Sequence, residues 1–162
     1  LGRLLKELFY IDYIGQFVLG RYRRAQYMSD AQFKRYLEIF PEYTVQMLAN
    51  RIGNYGDEQV QIQDTVPAGS RGNLFIRTKI VRPSDEDVLA DWRVTYVDGE
   101  FKIVDVQLEG ISMLITQRDQ FQEKIQQQGV DGFIDYLAER AGMQEAASQS
   151  GDNGKGSAQA SN

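Results

Sequence analysis

Between Val88 and Leu108 apolar and polar residues alternate on either side of one dipeptide, Asp98-Gly99, and nothing else in the chain constrains its fold as tightly. A period of two places successive side chains on opposite faces of a strand. Asp-Gly suits the two-residue type I′ turn, whose central positions both take positive φ, so the segment predicts a β-hairpin of fixed register. That loop pairs Val97 with Glu100, Tyr96 with Phe101, Val94 with Ile103 and Trp92 with Asp105. Trp92, Val94, Tyr96, Phe101 and Ile103 then share a face, and Asp105 falls beside them as a lone carboxylate. Val104, Val106 and Leu108 go to the other face with Arg93 and Thr95. Two earlier segments show the same period: Val60 and Ile62 among glutamines, and Leu74, Ile76 and Ile80 between Arg77 and Lys79. Turn residues at 65–73 and 83–87 connect them, so an antiparallel meander of four strands is expected.

Helical spacing brackets this meander. Leu4, Leu5, Leu8 and Phe9, then Ile14, Phe17 and Val18, fall on helix stripes interrupted by Gly15 and Gly20, which predicts two short helices. Arg21, Arg23 and Arg24 follow, where cations complement a helix dipole. Ser29-Asp30-Ala31-Gln32 has the form of a capping box. Phe33, Tyr36, Leu37, Phe40, Met47, Leu48, Ile52 and Tyr55 continue as one long apolar stripe, in which Pro41 predicts a kink or break. After the meander, Thr116 to Asp119 supplies a second capping pattern ahead of Phe121 and Ile125. Gly129 should end that helix, and Asp131 should cap a last one with Phe133, Ile134, Leu137 and Ala141 inward. From Gln144 the chain holds no large apolar residue, so the expected division is a single domain over 1–143 and a disordered tail over 144–162.

Composition excludes several chemistries. The chain has 162 residues, enough for one core, but no Cys and no His, which removes thiol nucleophiles, histidine bases and ordinary zinc sites. A net charge of −5 argues against a nucleic-acid partner. No run approaches the roughly 18 apolar residues of a membrane span. The chain opens on Leu1, which suggests a trimmed leader or a segment boundary. Asp105 remains the one catalytic candidate, a base of the ketosteroid isomerase kind if apolar surroundings raise its pKa. Its structural alternative is a carboxylate satisfied by hydrogen bonds or an Arg, or one turned outward by a bulge.

Trp92 to Phe121, with Glu109-Gly110-Ile111-Ser112 followed by Thr116-Gln117-Arg118, resembles the MlaC or toluene-tolerance family of periplasmic phospholipid-binding proteins. Ile14 to Tyr22, Phe40 to Tyr55, Asp91-Trp92 and Gly129 to Phe133 extend the resemblance in consistent order from about Asp12 to Ala141. Val-Leu-Gly-Arg-Tyr and Ile-Thr-Gln-Arg are similar to alphaproteobacterial members, some of which accompany hopanoid genes. Family members usually carry further helices ahead of the segment that begins here.

The resemblance implies an α+β fold: a curved four-stranded antiparallel sheet, an NTF2-like cone, covered by helices with an apolar cavity between. It implies a monomeric periplasmic shuttle that needs no cofactor and buries the acyl chains of a phospholipid. Its expected partners are an inner-membrane MCE-domain ABC transporter and an outer-membrane lipoprotein complex. Each sheltered CH₂ is worth about 0.8 kcal/mol, so two chains of roughly fifteen methylenes gain on the order of 20 kcal/mol, much as in a bilayer. By position, the lining residues would be Phe40, Leu48, Ile52 and Tyr55 on the long helix, and Ile76, Ala90, Trp92, Val94 and Ile103 on the sheet. Ile111, Phe121, Ile125, Phe133 and Leu137 complete the set. For each of these, ordinary core is the alternative reading. A small enzyme using Asp105, or a non-catalytic adaptor with a solid core, are the alternatives to the carrier.

Overall fold

The computed structural model describes residues 2–52, 57–69 and 72–143, the side chains of residues 51 and 52 excepted. Expectations about Tyr55 and the 144–162 tail lie outside the described residues. The chain forms α1 (Gly2–Leu8), α2 (Ile11–Leu19), a 3-10 turn (Gly20–Arg23) and α3 (Asp30–Ile52). There follow β1 (Gln59–Pro67), β2 (Leu74–Val81), β3 (Val88–Val97), β4 (Glu100–Leu108), a two-residue β5 (Ile111–Ser112) and α4 (Met113–Arg140). The fold is α+β. The strands make one antiparallel sheet in the order β1-β2-β3-β4-β5, so the expected meander gains a short fifth strand.

Two type I′ geometries shape the end of the sheet. Asp98 and Gly99 take φ of 50° and 84°, and Glu109 and Gly110 take 49° and 80°. The second turn brings Ile111 opposite Leu108. Glu109 tolerates its left-handed backbone because its carboxylate accepts the Leu89 N–H at 2.7 Å while its own N–H donates to the Leu89 carbonyl at 2.9 Å. It therefore clamps the start of β3.

The register departs from the unbroken ladder at one point. Val97 to Val94 pair as the turn dictates, but a bulge then leaves Val104 as an extra residue, so Arg93 faces Asp105 and Trp92 faces Val106. Past the bulge every β4 side chain changes face. Val106 and Leu108 join Trp92, and Asp105 leaves it.

The helices differ from the sequence reading at their ends. The first break falls at Phe9-Tyr10, where the Tyr10 N–H donates to the Ile103 carbonyl at 2.9 Å, and α2 runs through Gly15 to Gly20. Gly15 is needed for proximity: a Cβ there would lie 2.8 Å from the Phe40 ring. The capping box forms, with Ser29 Oγ accepting the Gln32 N–H at 3.2 Å and Gln32 Oε1 accepting the Ser29 N–H at 2.9 Å. Gln32 Nε2 also donates to Asp131 at 2.9 Å, so Asp131 ties α4 to α3 instead of acting as a cap. α3 is continuous across Pro41; the lost backbone bond is offset by the buried Tyr36, Ile39, Phe40 and Tyr43 around it. α4 starts ahead of the expected site because Ser112, not Thr116, is its N-cap, accepting the Ile115 N–H at 3.1 Å. Within α4, Gly129 adopts φ 72° and ψ 174°, a conformation open essentially to glycine, and divides it into two helical stretches.

The core is interhelical. Val18, Leu19, Tyr36, Phe133, Ile134 and Leu137 are its most deeply buried large side chains, and no strand residue joins the cluster among the described residues. Among the described residues the helices meet the sheet chiefly along β4 and β5.

Candidate functional site: an apolar sheet face

Register and alternation assemble one face of the sheet. Ile76 lies opposite Trp92 and Trp92 opposite Val106; Thr78 lies opposite Ala90 and Ala90 opposite Leu108; Val94 lies opposite Ile103. Val60 and Ile62 extend the same face onto β1 through Ile80 and Thr78. Ala90 and Val94 are buried and Ile76, Trp92 and Ile103 half-buried, whereas Val60 and Ile62 are 59% and 74% exposed. A contiguous apolar surface of this kind marks a binding face more often than idle surface. The polar group at its centre is satisfied: Thr78 Oγ1 accepts the Trp92 indole N–H at 3.0 Å and donates to the Ala90 carbonyl at 2.8 Å. That pair fixes the indole across the centre of the face.

The residues expected to line a cavity separate into groups. Ile76, Ala90, Trp92, Val94 and Ile103 share the sheet face, and Ile111, 61% exposed, sits at its β5 edge. Phe40, Phe121, Ile125, Phe133 and Leu137 are packed into the interhelical core, where Phe121 meets Phe133 edge-on at 4.9 Å and Phe40 at 6.2 Å. Leu48 is half-buried on α3. The Ile52 side chain and Tyr55 lie outside the described residues. Val60, Ile62, Val106 and Leu108 also lie on this face and were not among the residues expected there. Alternation around Val60 and Ile62 already carried the signal; for Val106 and Leu108 the bulge hid it.

Asp105 occupies a structural junction. Its Oδ1 accepts the Val106 N–H at 2.7 Å and the Leu114 N–H at 2.9 Å, and its Oδ2 accepts the Ser112 hydroxyl at 2.5 Å. Both oxygens are engaged in joining β4 to the start of α4. Two pockets are bounded by described residues. One, of about 260 Å³, is lined mostly by polar side chains of α4 with Tyr43; the other, of about 480 Å³, lies at the end of the sheet among Lys79, Arg82, Glu86, Asp87, Val88, Leu89 and Glu109. Among the described residues no group of three acidic side chains gathers as a metal site requires, and no helix is long and apolar enough to cross a membrane.

A family model described as MlaC protein matches residues 1–139. The chain belongs to the MlaC family. It is 28% identical over 142 residues to the Haemophilus influenzae protein named intermembrane phospholipid transport system binding protein MlaC, a match covering 86% of this chain. The chain spans 63% of that relative's length. A solved structure of a phospholipid-binding protein from Ralstonia solanacearum, in complex with a phospholipid, shares the fold with a TM-score of 0.67 at 20% identity, over 85% of this chain and 76% of that one. MlaC membership accounts for the order of elements from α1 to α4.

Proposed function

We propose that this chain is a phospholipid-binding carrier that holds acyl chains against the open sheet face. The observation that carries the reading is the contiguous apolar surface around Trp92, half-buried at Ile76, Trp92 and Ile103 and exposed at Val60 and Ile62 on β1. Covering it with a hydrocarbon chain removes apolar area on both sides from water, at about 25 cal/mol per Å². No acid, base or metal is required. The bulge at Val104 supports the reading by turning the Asp105 carboxylate off this face and Val106 onto it.

In this proposal Ile76, Trp92, Val94 and Ile103 touch lipid together with Val60, Ile62, Val106 and Leu108. Leu48 and Ile111 stand at the margins, and Phe40, Phe121, Ile125, Phe133 and Leu137 form the rigid wall behind. The name of the Haemophilus influenzae relative and the lipid bound to the Ralstonia solanacearum protein support a role in intermembrane transport. The carrier would work in the periplasm as a monomer, exchanging lipid with an inner-membrane MCE-domain ABC transporter and an outer-membrane lipoprotein complex. Native mass spectrometry of protein purified from bacterial cells tests this. A diacyl phospholipid adduct is expected, and Ile76→Lys should abolish it while leaving the circular dichroism unchanged; a lipid-free wild-type protein would overturn the proposal.

A further inference from the structure

We infer that the end of α2 carries a basic and aromatic surface that docks the protein on an anionic phospholipid membrane. The surface lies on α2, the 3-10 turn and α4, and its residues are not among those proposed to hold acyl chains. Arg21, Arg23 and Arg24 stand within four residues, all exposed. Among the described residues none of the three has a carboxylate within ion-pair distance. The C-terminus of α2 supplies only about half a negative charge, so three guanidinium groups overshoot what the helix dipole can neutralise.

A fourth cation joins them from a distant part of the chain. Arg118 on α4 passes within 3.6 Å of where a Cβ would stand on Gly20, and its own ion pair is a 3.5 Å contact with the adjacent, exposed Asp119. Aromatic rings lie against two of these cations. The Arg118 guanidinium lies 5.7 Å from the Phe17 ring, Phe17 meets the exposed Tyr13 at a tilt at 6.1 Å, and Arg21 sits 5.1 Å above Tyr22, which meets the exposed Tyr27 edge-on at 5.3 Å.

Four arginines thus gather at the end of α2, with the exposed Tyr13 and Tyr27 nearby. A plane of lipid phosphates fits this surface: guanidinium groups pair with phosphate oxygens and tyrosines favour the headgroup level. In a chain of net charge −5 such attraction must be local, which fixes the orientation of approach.

Co-sedimentation with vesicles of phosphatidylcholine alone, or mixed with phosphatidylglycerol, tests the inference. The wild-type chain should bind only the mixed vesicles, less as salt is raised. The triple variant Arg21→Glu, Arg23→Glu, Arg24→Glu should lose binding by about tenfold or more, and Gln at the same positions by less. The triple variant should keep any copurified lipid, so failure of the carrier proposal and failure of this one read out separately. Wild-type binding without a phosphatidylglycerol preference, or undiminished binding by the Glu variant, overturns the inference. So does a wild-type chain that ignores vesicles but is retained by polyglutamate, which reassigns the surface to an acidic protein.

Discussion

Replacing Asp105 separates a structural carboxylate from a catalytic one. In Asp105→Ala two backbone N–H groups, of Val106 and Leu114, and the Ser112 hydroxyl lose their acceptor in a largely buried junction. A hydrogen bond to a charged acceptor is worth about 1.5 to 3 kcal/mol, and the three act on one group, so a non-additive total of about 4 kcal/mol is expected. Asp105→Asn keeps an oxygen for both N–H groups but opposes its NH₂ to Ser112 Oγ, which already accepts from Ile115; its cost should be about 1 to 2 kcal/mol. Urea denaturation followed by circular dichroism measures both values. The Asn variant should retain copurified lipid. An Ala variant within about 1 kcal/mol of wild type would refute the reasoning, because the junction would then not depend on the carboxylate.

Two further substitutions probe the core. Gly15→Ala gains about 1 kcal/mol of helix propensity but drives a Cβ to 2.8 Å from the Phe40 ring, itself held by Tyr36, Tyr43 and Phe121, so melting should move down by several degrees; a rise in Tm would show that the ring yields. Burial raises the Tyr36 pKa well above the usual tyrosine value, so the stability this favours is present below about pH 10 and lost as pH climbs from there toward the folded value. Tyr36→Phe, deprived of the 2.6 Å bond to the Gly15 carbonyl, should be about 1 kcal/mol weaker at pH 7 and lose less than wild type on going above pH 10; equal slopes in urea titrations would contradict this.

Much of the sheet was legible because its signals are local. Asp98-Gly99 forces positive φ at two successive positions, and the register it sets holds from Val97 to Val94. Beyond that point a bulge intervened, and no local pattern announces one: alternation through Ile103, Val104 and Asp105 is as consistent with a straight strand. Its cause is tertiary, since Asp105 is drawn to Ser112 and Leu114 across the edge of the sheet. The same junction displaced the start of α4 from Thr116 to Met113. Pro41 misled in the other direction, because the local cost of a helical proline is outweighed by the aromatic cluster on both sides of it. The helical stripes correctly marked apolar faces, but period alone does not say whether Phe121 meets Phe133 or a ligand.

Trp92 is the only tryptophan in the chain and stands at the centre of the proposed lipid face, so its fluorescence reports on the central claim directly. Phospholipid brominated on its acyl chains should quench Trp92 emission on binding, while lipid brominated only near the headgroup should quench it much less. Stoichiometric binding of acyl-brominated lipid, confirmed by native mass spectrometry, with Trp92 emission unchanged would place the hydrocarbon elsewhere and contradict the account.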